Sequence, residues 1–387
     1  MKHLCHLILY KWSSKVKQRI ALSTCFFLSG FCFSSWASRI PTIKTAFNFS
    51  EAELGNLLLV MPIASLIGLP ISGWMVSKFS SRNPLVLSMV FFGISLFVIG
   101  FTSNLIALII AVAVFSFCMR IINIFMNTQT ITLQKKFKRK IIGSFHGIWS
   151  AGGLTGVALC TLVLKFNISM VTHMVIVSLF TSIFAIISYF YLLKNDRSTS
   201  GNKIKFGKPD PFIFYLGILI FFASVCEGGM FDWSSVYFKD VVGEDIFTLG
   251  YFTFMIFMAL SRFSSDLVIE KIGMQKSYFL SAILIVLGIA TVILLPYFWP
   301  ALVGFSLIGL GTAAVIPMIF ISAGDSKKYS AGMAISIIST YGILGRLLGP
   351  PLVGYLAELF SLKLAFLLFL FCGIMLIPFS KKLFKLY

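Results

Sequence analysis

The sequence predicts an all-α membrane protein of twelve transmembrane helices, laid out as two six-helix bundles related by a pseudo-twofold axis. Three observations predict it. Apolar runs of about 20 residues recur along the whole chain, each long enough to cross the ~30 Å hydrocarbon core as a helix. The basic residues cluster in alternate connections between those runs. Short sequence features of the first half return in the second at a nearly constant offset.

The runs lie near 20–38, 53–77, 84–101, 105–133, 142–164, 170–193, 211–237, 248–269, 277–295, 301–323, 331–356 and 362–380. Only 12% of the 387 residues are charged and 58% are hydrophobic, about half the charge content of an ordinary soluble domain. Backbone groups in lipid must find partners within the chain, which leaves helices or closed barrels. The runs are too continuous for barrel strands, whose side chains would alternate between apolar and polar.

The net charge of +19 follows the same layout. Of 32 Lys and Arg residues, 24 fall in the connections on the side of the N-terminus, 5 fall on the other side, and Arg120, Arg262 and Arg346 lie inside runs. Basic loops stay on the cytoplasmic side. Both termini are therefore expected in the cytoplasm of a bacterial inner membrane, with the basic loops against anionic lipid and no nucleic-acid partner. The first run has no small-residue cleavage site behind it, because Trp36 and Arg39 stand there, so no cleaved signal peptide is expected. Six of the seven cysteines, Cys25, Cys32, Cys118, Cys160, Cys226 and Cys372, fall in apolar runs and are expected to be free thiols. Cys5 beside His3 and His6 is too small a cluster to hold a metal, and neither metal nor cofactor is expected.

A polar, basic stretch over 194–210 reads as a cytoplasmic linker. It divides the chain into an N-terminal bundle, 1–193, and a C-terminal bundle, 211–387. Leu54-Gly55 and Leu249-Gly250 stand 195 residues apart, and the Gly152-x-x-x-Gly156 and Gly345-x-x-x-Gly349 pairs stand 193 apart. Together they describe a parallel repeat of six helices about an axis along the membrane normal. This layout resembles the major facilitator superfamily. Local motifs resemble a largely uncharacterised bacterial inner-membrane group within it: Ser35-Trp36-Ala37-Ser38-Arg39-Ile40-Pro41, His146-Gly147-x-x-Ser150-x-Gly152, Glu227-Gly228-x-x-x-Asp232-Trp233, and Gly349-Pro350-Pro351 running on to Gly354 and Glu358. The superfamily's loop motif after its second helix is degenerate here. Gly73, Lys78 and Arg82 fit it, while serines replace its acidic residue and second glycine. The corresponding loop of the second half, with Arg262, Asp266, Glu270, Lys271 and Gly273, fits better, and Arg262 is expected to pair with Asp266 one helical turn on.

Ionisable groups inside spans are costly and usually functional. In the fourth span Arg120, Asn123, Asn127, Thr130 and Gln134 recur at spacings of 3 and 4, so they share one helix face. Arg120, Asn123 and Asn127 are expected to line a substrate cavity or to serve as interhelical polar contacts; Thr130 and Gln134 approach the cytoplasmic end. Trp149, Tyr341 and Arg346 are further cavity candidates, with Arg346 facing an anion or paired to Glu227. Glu227 is the candidate for proton coupling, because a desolvated carboxylate can cycle its proton near neutral pH, or else a constitutively paired structural acid. Arg39 and Asp232, with Trp36 and Trp233 beside them, form either an outer gate or an interfacial aromatic belt. Pro317 is expected to kink the tenth span. The resemblance implies a monomeric secondary active transporter, not an enzyme, that moves a small polar solute, sugar-like or an organic anion, by alternating access; Glu227 makes protons a candidate coupling ion. The rival on the same fold is an exporter of amphipathic compounds.

Overall fold

The computed structural model describes residues 13–138, 141–194, 210–329 and 331–386, all of it helix and connections. The helices are α1 (Ser14–Ala46), α2 (Glu51–Lys78), α3 (Arg82–Phe101), α4 (Leu105–Gln134), α5 (Ile142–Lys165), α6 (Met170–Tyr189), α7 (Pro211–Asp240), α8 (Thr248–Ile272), α9 (Met274–Leu294), α10 in two pieces (Phe298–Thr312 and Val315–Gly324), α11 (Ala331–Leu359) and α12, also in two pieces (Leu362–Ala365 and Leu367–Phe384). Each predicted span coincides with one of these twelve. Most of the linker, the stretch holding His3, Cys5 and His6, and the side chain of Asp266 lie outside the described residues.

Eleven of the twelve are long and apolar enough to cross a membrane among the described residues; α8 is the exception. Its last turns carry Ser261, Arg262, Ser264 and Ser265, which lower its hydropathy. The break in α10 falls at Ala313 and Ala314. Pro317 explains it, since a proline ring clashes with the carbonyl four residues earlier and removes an N–H from the ladder. Here that carbonyl belongs to Ala313. The helices end on short polar caps. Asn104, Ser169 and Asp210 accept backbone N–H groups at the starts of α4, α6 and α7, satisfying donors that a helix start leaves unpaired.

The chain divides into two compact units, Met1–Trp36 with Ile63–Asn202 and Ala37–Pro62 with Lys203–Tyr387. The last turns of α1 and the first turns of α2 thus pack with the C-terminal helices. In the first unit α1 and α5 cross at backbone contact: a Cβ at Gly152 would sit 2.1 Å from the Phe27 carbonyl oxygen and one at Gly156 2.6 Å from that of Phe31. In the second unit α7 and α11 repeat the arrangement. A Cβ at Gly345 would meet the Phe221 carbonyl oxygen at 2.5 Å, and Gly349 faces Val225. The sequence repeat is therefore also a packing repeat. The turns after α1 and α7 match too, with Asn48 (φ 52°) and Gly243 (φ 82°), 195 residues apart, both in the left-handed region. Asn and Gly tolerate that conformation best.

Candidate functional site

In the first unit, α4 carries the polar stripe among packed neighbours. Arg120 is half-buried, and its Nε donates to Ser65 Oγ of α2 at 2.8 Å. Gly68 leaves the room for its stem, since a Cβ there would stand 3.3 Å from Arg120 Cβ. Asn123 turns back onto its own helix, donating to the Met119 carbonyl at 3.0 Å. Asn127 is exposed and makes no hydrogen bond among the described residues. Thr130 is buried, and Gln134 closes the end of α4 by accepting the Ile141 N–H at 2.7 Å. Gln129, one step off the stripe, is a structural clamp: its amide donates to Ser81 Oγ and the Leu193 carbonyl and accepts the Leu193 N–H. Trp149 is half-buried beside Phe33, with ring centroids 6.2 Å apart.

In the second unit, Glu227 of α7 is held by Arg262 of α8, Oε1 to Nη2, at 2.9 Å. The expected Arg262–Asp266 pair falls on a side chain outside the described residues. The described partner of Arg262 lies across a helix interface, and it also answers whether Glu227 pairs with Arg346. Arg346 is exposed in the middle of α11, its stem 3.5 Å from where a Cβ on Gly228 would lie. Tyr341 packs its ring against α7 at Gly217, where a Cβ would stand 2.8 Å away, so it serves the helix crossing.

At the end of the unit where α1 turns into α2, three charged residues form a network that the sequence reading missed. Lys44 of α1 donates to Glu51 of α2 at 2.7 Å and to Asp240 of α7 at 2.6 Å. Lys239 donates to the hydroxyl of Thr45 and to the Pro41 carbonyl. Glu358, at the end of α11, accepts the N–H groups of Glu51 and Ala52 at 3.1 and 3.4 Å, a carboxylate on the positive end of α2. Tyr355 donates to Asn56 at 3.1 Å. Gly354 and Gly55 make the approach possible: a Cβ on Gly354 would stand 2.5 Å from the Glu51 carbonyl oxygen. The Gly354, Tyr355 and Glu358 positions of the eleventh-span motif are thereby accounted for as a docking face for α2.

The residues expected to gate this end are arranged differently. Arg39 is buried, while Asp232 is half-buried and in no ion pair among the described residues. Trp36 and Trp233 are 1% and 0% exposed, and neither indole N–H finds an acceptor among the described residues. They are enclosed packing residues rather than an aromatic belt; Trp36 lies against Phe115.

The loop motifs sit at the opposite helix ends. Gly73 is exposed with nothing within 4 Å of a Cβ, Lys78 stacks over Trp74, and the Arg82 guanidinium lies 3.8 Å from the Tyr189 ring centroid. Gly273 joins α8 to α9 with φ 85°, a conformation that demands glycine. Glu270 and Lys271 are exposed beside it. Among described residues in the matching turn of the first half, no residue adopts a positive φ, which is why serines can stand there.

Twelve helices, eleven of them long and apolar enough to cross a membrane among the described residues, with charged and amide side chains at mid-helix, make a polytopic membrane protein. The chain belongs to the Major Facilitator Superfamily, whose family pattern matches residues 22–342. It is 30% identical to the membrane protein MosC of Rhizobium meliloti over 355 residues, 90% of this chain and 86% of that protein. It is 28% identical to an uncharacterized MFS-type transporter of Yersinia pestis over 353 residues, 91% and 92% of the two chains. Among solved structures, the nucleoside transporter NupG superposes with a TM-score of 0.74 at 16% identity, covering 97% of this chain and all of that one. A bacterial homolog of the human lysosomal transporter Spinster gives 0.75 at 13%, covering 97% and 98%. At such identities the likeness is one of fold.

Proposed function

We propose that the protein is a secondary active transporter of the bacterial inner membrane, with both termini cytoplasmic, that moves a small polar organic solute by alternating access and couples it to protons. The carrying observation is the Glu227–Arg262 pair, a carboxylate and a guanidinium facing each other between two helices at membrane depth. An ion pair there is retained at the expense of two desolvations, and a carboxylate that can lose its partner can take a proton instead. In this reading the making and breaking of the Glu227–Arg262 bond biases the α7–α8 contact. The stripe Arg120, Asn123 and Asn127, with Trp149, offers hydrogen-bonding and stacking groups for a polar solute. The Lys44–Glu51–Asp240 network, rather than Arg39 with Asp232, is the outer gate in this account: it forms when that end closes and parts when it opens.

The test is proton flux in proteoliposomes containing the full chain and an internal pH dye. Addition of a transported solute is expected to alkalinise or acidify the lumen in proportion to solute movement. In E227Q the solute moves without a pH change. Solute movement with no pH change in the wild type would remove the coupling.

A further inference from the structure

We propose that Arg346 is the anchor of a binding site for the carboxylate of a monovalent organic anion, built inside the second unit between α7, α11 and the first turns of α2. This deepens the transport proposal above by naming the substrate class, and it rests on that proposal only for the claim that the bound anion is moved.

Arg346 is the sixteenth of the 29 residues of α11. It is exposed and has no hydrogen bond, ion pair or ring contact among the described residues. A guanidinium at mid-span is costly against lipid and is found facing bundle interiors or water-filled cavities. The helix wheel of α11 shows which side it takes. At ~100° per residue, the glycines against α7, Gly342, Gly345 and Gly349, lie on one flank of Arg346, within roughly 100° of it. Pro350 and Gly354, which approach Gly55 and Glu51 of α2, lie on the other flank, within roughly 80°. The exposed leucines of the same helix, Leu344, Leu348, Leu352 and Leu359, centre roughly 160° away. Arg346 therefore points between the two packed helices, away from the apolar face that suits lipid. Its stem rests on Gly228, where the missing side chain clears its path.

The neighbouring charges set the ligand's valence. Glu227, the residue before Gly228, is already held by Arg262. Arg346 itself has no carboxylate partner among the described residues, so it brings one positive charge for a ligand to balance. A single carboxylate balances it, and the planar fork of a guanidinium accepts a carboxylate through two parallel hydrogen bonds. A dianionic phosphate would overshoot the charge available.

The experiment is ligand-induced thermal stabilisation of the purified full chain. The probes are D-gluconate, D-glucuronate and benzoate, against D-glucose and inorganic phosphate, with wild type, R346Q and R346K each shown monodisperse beforehand. At least one carboxylate is expected to stabilise the wild type at millimolar concentration. D-glucose should have no effect and inorganic phosphate a weaker one. The apparent affinity should fall at least about tenfold in R346Q and recover in part in R346K. The proposal is overturned if no carboxylate stabilises the wild type, if R346Q binds as well as wild type, or if phosphate is preferred. Binding that follows this pattern without any solute flux in proteoliposomes refutes the transport proposal and leaves the anion site; flux of a neutral solute that survives R346Q does the reverse.

Discussion

Replacing Lys44 by Met tests the gate. One ammonium bridges two carboxylates at 2.7 and 2.6 Å, and the three side chains are 16%, 21% and 29% exposed. At an effective dielectric of ~20, each contact is worth about 4 kcal/mol of Coulomb energy at ~4 Å before desolvation. Solvent and lost side-chain entropy reduce exposed pairs to about 0.2–1 kcal/mol. For pairs under a third exposed, about 1 kcal/mol each is a fair net figure, so K44M should weaken the closed end by about 2 kcal/mol. Methionine keeps the apolar stem but leaves Glu51, Asp240 and Glu358 facing one another without their bridging cation. About 2 kcal/mol shifts a two-state equilibrium roughly 30-fold. Spin labels at Ala46 and Asp245, both exposed, in a cysteine-depleted background report this end by pulsed electron spin resonance. A longer distance should gain population strongly in K44M and much less in K44R, and high salt should act in the same direction as K44M. Distance distributions that are identical in wild type and K44M would refute the reasoning.

Three further outcomes follow from packing and backbone. Gly152→Ala should lower the melting temperature markedly, at a cost of about 1–3 kcal/mol, because its Cβ would collide with a backbone carbonyl. Gly73→Ala, with open space around it, should be neutral or slightly stabilising; equal effects of the two would contradict the account of the α1–α5 crossing. Gly273→Ala should destabilise by about 1–2 kcal/mol through its positive φ, measured by thermal unfolding in detergent. Glu358→Ala should speed hydrogen exchange at the Glu51 and Ala52 amides, a loss of about 0.5–1 kcal/mol at the start of α2, and leave exchange in α4 unchanged.

The helices were legible because lipid imposes length and apolarity on every span, and the repeat was legible because close crossings require glycine at fixed positions. Pro317 placed the α10 break for the same kind of local reason. Ion-pair partners were not legible. Arg262 is bonded to Glu227, 35 residues distant, and such a contact depends on helix rotation that no local pattern encodes. Lys44, Glu51 and Asp240 read as ordinary loop-end charges; only the fold shows that α1, α2 and α7 bring them to one point. Glu358 had a signal, since it closes the Gly354–Glu358 motif, but its role as a cap on α2 requires the α2–α11 contact. Trp36 and Trp233, beside charged residues at span ends, looked interfacial because burial at a helix end cannot be told from hydropathy alone.

The central claim, proton-coupled transport through Glu227, is tested most directly by accumulation against a gradient. Proteoliposomes with an imposed pH gradient are given a mixture of small carboxylates and sugars, and their lumenal contents are measured by mass spectrometry. The account predicts that at least one solute rises above its external concentration and falls back when an ionophore collapses the gradient. In E227Q that solute should equilibrate without accumulating. Accumulation by E227Q equal to that of the wild type, or accumulation that survives the ionophore, would contradict it.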